Sequence, residues 1–113
     1  MGPLRIPIRY FSDFLRGCID GDGCIDIRYH PESTQPQLRV RLYSASPEFL
    51  QWIAARLKIH PRLRGGWIDQ GVGVRVLTYS KMDSIKLLNY IYYQGAEFFL
   101  KRKYKIAQPF LRM

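Results

Sequence analysis

The stretch Phe14-Leu15-Arg16-Gly17-Cys18-Ile19-Asp20-Gly21-Asp22-Gly23 constrains the fold more than any other part of the 113-residue chain. Phe11, Phe14, Leu15, Cys18 and Ile19 recur at i, i+3, i+4, i+7 and i+8, the single apolar stripe of an amphipathic helix. The stripe stops at Asp20-Gly21-Asp22-Gly23, where two glycines break the helix and allow positive φ. Ile25, Ile27 and Tyr29 then alternate with Asp26, Arg28 and His30, which is strand periodicity. A helix from about Ile8 to Asp20 therefore ends in two carboxylates where the chain turns into a sheet. The helix dipole disfavours anions at that end, and a hard divalent cation would relieve them. Gly17 and Gly21, four apart, share a helix face bare enough for a second helix to come close. The same tetrapeptide also fits a solvated turn. An EF-hand loop is excluded, because counting from Asp20 puts Ile25 at the glycine position and Pro31 at the glutamate position.

The length suits one domain spanning 1–113, with residues 1–7, which contain Pro3 and Pro7, as an extended arm. Eighteen Lys and Arg against nine Asp and Glu give a net charge of +9. A small folded domain with that excess meets a polyanion, nucleic acid before membrane surface. No apolar run reaches membrane-spanning length and no signal peptide is evident, so an intracellular protein with no membrane and no small-molecule substrate is expected. Cys18 and Cys24, the only cysteines, fall on the helix stripe and in the first strand, as reduced core thiols do. With His30 and His60 they match no zinc spacing.

Further along, strand one is expected over 23–29, a loop over 30–36, and strand two from Gln37. Leu38, Val40 and Leu42 point one way, and Gln37, Arg39, Arg41 and Tyr43 the other. Ser46 and Pro47 open a second helix as N-cap and first helical residue, with Phe49, Leu50, Ile53 and Leu57 as its buried stripe. Two short strands follow, about 66–69 and 72–79. Composition leaves the phase of both strands open, and Arg75 is assigned outward. Ser80-Lys81-Met82-Asp83 reads as a capping box for a third helix. A last helix starts near Ala96 and is limited by Pro109. The expected class is α+β, ordered α-ββ-α-ββ-α-α, with one antiparallel four-stranded sheet and helices on one face. The open face would carry Arg28, His30, Gln37, Arg39, Arg41, Tyr43 and Arg75, with Asp26 the main acid. An open antiparallel face is often simply solvated, but this imbalance suits phosphates and base edges.

Residues 15–23 resemble the signature of the LAGLIDADG homing endonucleases: Leu15, Gly17, Ile19, Asp20, Asp22 and Gly23 match its letters, Gly21 is a permitted small residue, Cys18 replaces a leucine, and Arg16 departs from the usual small residue. The element order resembles the single-motif fold of that family, and Phe99-Leu100-Lys101-Arg102-Lys103-Tyr104 resembles its aromatic-Leu-Lys-Arg-Lys-Tyr segment. The resemblance implies a site-specific double-strand DNA endonuclease that uses Mg2+, with Mn2+ substituting. Asp22 would be the metal carboxylate, assisted by the Gly21 carbonyl, with Asp20 as the second motif acid. Lys103 would lie by the scissile phosphate, Ser46 where several members organise water, and Lys101 among the DNA-binding residues. One motif supplies one carboxylate, so cutting both strands implies a homodimer on a long, nearly palindromic site. Its interface would be formed by Phe14, Gly17, Cys18 and Gly21. Two alternatives remain: a non-cleaving relative of the fold (an RNA-splicing maturase or transcription regulator), or a metal-free RNA-binding domain that stacks bases on Tyr43 and Trp67. Target sequence, cut pattern and intron or intein host stay open.

Overall fold

The apolar stripe does form a helix, and the helix runs past its own pattern. In the computed structural model, which describes residues 5–29, 31–32 and 35–111, α1 spans Ile8–Asp22 and takes in Gly21 and Asp22 rather than stopping at Asp20. The reason lies at the far end of the sequence. A helix end leaves carbonyls without partners, and here the Lys103 ammonium donates to those of Ile19, Asp20 and Gly23, at 2.6, 2.9 and 2.7 Å. Gly23 is needed for space, not for positive φ. Its φ is −107°, and its N–H reaches Ile19 O. A Cβ there would lie 2.7 Å from the Ile19 backbone.

The chain continues as β1 (Gly23–Arg28), β2 (Gln37–Ser44), α2 (Pro47–Ile59), β3 (Trp67–Gln70), β4 (Arg75–Tyr79), α3 (Lys81–Ile91), α4 (Lys101–Ala107) and a 3-10 turn (Gln108–Phe110). The strands form one antiparallel sheet in the order β1-β2-β4-β3. This is the α+β layout the patterning predicts, with the helices on one face. Residues 1–4 of the expected arm lie outside the described residues, as does His30.

Four local expectations change. β4 begins at Arg75 rather than Val72, because Gly71 N–H bonds Val74 O at 2.7 Å and Gly73 has φ +72°, which makes 71–74 a turn. α4 begins at Lys101 rather than near Ala96, since Gly95 and Phe98 both have positive φ, incompatible with a continuing helix. The capping box does not close: Ser80 is the N-cap without a side-chain bond, and Asp83 accepts instead from Gly65 N–H at 2.9 Å, tying the preceding loop to α3. Arg75 is not on the open face. It pairs with Ser44 while Leu77 pairs with Leu42, so Arg75, Leu77 and Tyr79 share the helix side. Leu77 and Tyr79 are buried there, and Arg75 is exposed at the strand's end. Two apolar residues in the core outweigh the placement of one terminal charge.

The core joins Phe11, Leu15 and Ile19 of α1 to Val40 and Leu42 of β2, Ile53 and Leu57 of α2, Leu77 of β4, and Leu88 and Ile91 of α3. Truncating one such side chain to Ala costs about 2–5 kcal/mol. Among the described residues, Ser84 and Arg16 are buried with partners. Ser84 accepts from Val40 N–H and donates to Tyr79 O. Arg16, the departure inside the motif, points to the end of α3, bonding Ile91 O and Glu97 O at 2.8 Å each and Asp13 at 3.0 Å. Its bulk is therefore stowed within the chain.

Candidate metal centre and nucleic-acid face

The two motif acids have different surroundings. Asp20 Oδ2 accepts Leu100 N–H at 3.0 Å, which fixes the segment leading into α4. Its charge also reaches Tyr92, whose hydroxyl is pushed well above the usual phenol range, first by burial and then by that carboxylate. Asp22 is exposed. It lines an open pocket of about 330 Å³ with Cys18, Leu42, Tyr43, Ser44, Ala45, Phe49 and Val74. None of the three ion pairs among the described residues uses it. Burial, and then the Asp22 charge, push the Cys18 thiol up to about 11. Of the two acids, Asp22 is the more exposed, while Asp20 is half-buried and lines the groove beside Gly17 and Gly21.

Among the described residues, no three His, Cys, Asp or Glu side chains gather around a metal position. The end of α1 offers one fully exposed carboxylate, Asp22, plus backbone carbonyls. That donor set still fits Mg2+, which is commonly held by one or two carboxylates and completes its shell with water and substrate phosphates. Lys103 lies close by but is fully engaged, its three donors on three carbonyls. Lys101 and Arg102 next to it are exposed. Ser46 accepts from Phe49 N–H at 3.2 Å as the N-cap of α2. Ser44, which the sequence did not single out, lines the Asp22 pocket in its place.

Strand register settles the open face. Arg28 pairs with Gln37, Asp26 with Arg39, and Cys24 with Arg41. Arg41 continues to Thr78, and Tyr43 to Val76. Thr78 and Val76 continue to Trp67 and Asp69. Arg28, Gln37, Arg39, Arg41 and Tyr43 are thus gathered on one surface, with Asp22 at the end of α1 where β1 enters it. Two features were not legible beforehand. Asp26 Oδ2 receives both Arg39 and Arg41, at 3.3 and 3.0 Å. Trp67 donates to Asp69 at 2.7 Å.

On α1, Gly17 and Gly21 are exposed, and a Cβ on either would meet nothing within 4 Å. Phe98, 94% exposed, and Leu100 border the same groove. Phe14, expected at a seam, packs within its own chain against Phe11, Phe49 and Trp52 at ring separations of 6.0–6.3 Å. Cys18 is half-buried and lines the Asp22 pocket.

The model of the LAGLIDADG-like domain matches residues 12–92. Among solved structures, the chain is similar to the group I intron-encoded homing endonuclease I-CeuI complexed with DNA (TM-score 0.66, 17% identity, 96% of this chain and 55% of that one). It is also similar to the archaeal intron-encoded homing endonuclease I-Vdi141I complexed with DNA (TM-score 0.62, 18% identity, 88% of this chain and 64% of that one). The chain thus spans less than two thirds of either. At these identities the likeness is one of fold. No curated protein matches the sequence.

Proposed function

Since the chain belongs to the LAGLIDADG-like domain family, we propose that it is a site-specific, metal-dependent double-strand DNA endonuclease of the homing type, acting as a homodimer. The observation that carries this reading is the exposed Asp22 carboxylate at the end of α1, between a basic sheet face and a bare glycine face. The exposed Arg28 on the sheet and Lys101 and Arg102 at the start of α4 would bind phosphates, and the strand-two side chains would reach base edges in the major groove. Asp22, with the Gly21 carbonyl, would hold the divalent ion. When bound, Mg2+ or Mn2+ supplies positive charge against phosphoryl oxygens and lowers the pKa of water.

Asp20 and Lys103 act on position. Asp20 holds Leu100 at the entry to α4, and Lys103 holds the last turn of α1 so that Asp22 projects from a fixed end. Lys101 and Arg102 are the cations left to face phosphate. One fully exposed motif carboxylate per chain requires a second copy for two cuts. Gly17 and Gly21 let the two α1 helices approach across a two-fold axis. A single-domain architecture over 1–113 is part of the proposal. The commitment of Lys103 within the chain favours the non-cleaving alternative, because such a binder needs the fold but no free active-site cation.

The two readings separate in one assay. A DNA site is selected from a randomised duplex pool in Ca2+, then incubated with Mg2+. Wild type should cut both strands, whereas Asp22→Asn should bind with similar affinity and not cut. Binding without cutting by wild type would leave the non-cleaving reading, and equal cutting by both proteins would remove Asp22 from the site.

A further inference from the structure

The sheet's open face contains a carboxylate where polyanion binding alone would exclude one. Asp26 lies directly opposite Arg39 and diagonal to Arg41. A single oxygen, Oδ2, receives Nη2 of both, at 3.3 and 3.0 Å, and Arg41 Nη2 also reaches Cys24 Sγ at 3.6 Å. Two arginines on one strand face, two residues apart, would otherwise repel and swing freely over several phosphates. Asp26 reduces their combined charge to about that of one cation and fixes where both guanidiniums sit. Asp26 Oδ1 and the Nε of each arginine are buried without a partner, so it is the remaining, outer atoms of the triad that could meet a base edge.

From this geometry we propose, resting on the DNA-binding reading above, that Asp26 is a specificity-determining residue that sets Arg39 and Arg41 to read G·C pairs and weakens their grip on phosphate. The chemistry of the groove matches. Guanine offers O6 and N7 as acceptors for a guanidinium, cytosine offers an N4 amino donor for a carboxylate, and an Arg beside an Asp can meet both bases of one pair. A thymine O4 or a phosphate placed there would confront the carboxylate with another acceptor. Asp26 therefore opposes the wrong surfaces as well as arranging the right one.

The test uses the intact protein and a randomised duplex pool in Ca2+, with wild type, Asp26→Asn, Asp26→Glu and Arg41→Ala. Wild type should enrich G·C at positions under β1–β2. Asp26→Asn should lose at least about fivefold of that preference. It should also bind random duplex more tightly, with the slope of log affinity against log salt steepened by about 1, because a cation is released to phosphate. Asp26→Glu keeps the charge and displaces it, so it should keep the wild-type slope and lose the preference. A simple loss of structure would weaken binding to every sequence and would overturn the proposal. An unchanged preference and slope in Asp26→Asn, with Arg41→Ala still altering binding, would overturn the proposal and leave the DNA reading intact. A wild type that retains no duplex would overturn both.

Discussion

Replacing Lys103 by Met would remove the charge that ends α1 and keep the apolar stem. The ammonium makes three short contacts, at 2.6, 2.9 and 2.7 Å, with Ile19, Asp20 and Gly23. A hydrogen bond to a charged group contributes ~1.5–3 kcal/mol net, but three sharing one ammonium do not add in full. Ile19 O also keeps Gly23 N–H in the variant, so the effective loss is that of the other two carbonyls. Part of this overlaps with the favourable placement of a cation at a helix C-terminus, worth up to ~2 kcal/mol in partly buried settings. We expect a cost of about 3 kcal/mol. At ~4 °C per kcal/mol for a chain of this size, Tm should fall by about 12 °C. Thermal melts followed by circular dichroism, without DNA or metal, would measure it, and hydrogen exchange at 20–24 should quicken. If Lys103→Met melts with wild type and yet loses cleavage, the ammonium acts on the phosphate and the capping argument is wrong.

Gly17→Leu fills a face that is empty in one chain, so the monomer should melt within a degree or two of wild type while the dimer dissociates at about tenfold higher concentration or more by sedimentation equilibrium; an unaffected dimer would move the seam elsewhere. Arg16→Met abandons the carbonyls of Ile91 and Glu97 and should cost about 2–4 kcal/mol in urea denaturation, with no change in the salt dependence of DNA binding. Because the Cys18 thiol is pushed up to about 11 by burial and then by Asp22, it stays protonated at neutral pH and should alkylate in the folded protein well behind the same thiol in the urea-unfolded chain at pH 8. Faster labelling of Cys18 on raising the pH towards 11 follows from the same sign, and equal rates at pH 8 would contradict it.

Much of this architecture is legible in the sequence because its signals are periodic. The i, i+3, i+4 stripe of Phe11, Leu15 and Ile19, and the alternation of Leu38, Val40 and Leu42, each dictate one buried face. Features that depend on distant partners are not legible. Nothing local says that α1 extends to Asp22, because the group that caps it stands eighty residues away at Lys103. Nor does the spacing of Asp20 and Asp22 reveal that one carboxylate is tied to Leu100 and the other is free for a ligand. The side taken by Arg75 is not legible, because a charge at a strand's end is compatible with either face, and only the pairing of Leu77 with Leu42 decides it. Arg16 reads as an oddity within the motif until the end of α3 is seen beneath it.

The most direct test of the account is a heterodimer of wild-type and Asp22→Asn chains, purified through two different tags and given a supercoiled plasmid with one selected site in Mg2+. If each Asp22 serves one strand, wild-type homodimer should linearise the plasmid and the double variant should leave it uncut. The heterodimer should then stop at the nicked circle. Linearisation by the heterodimer at the wild-type rate, or any cutting by the double variant, would contradict the assignment of one Asp22 to each strand.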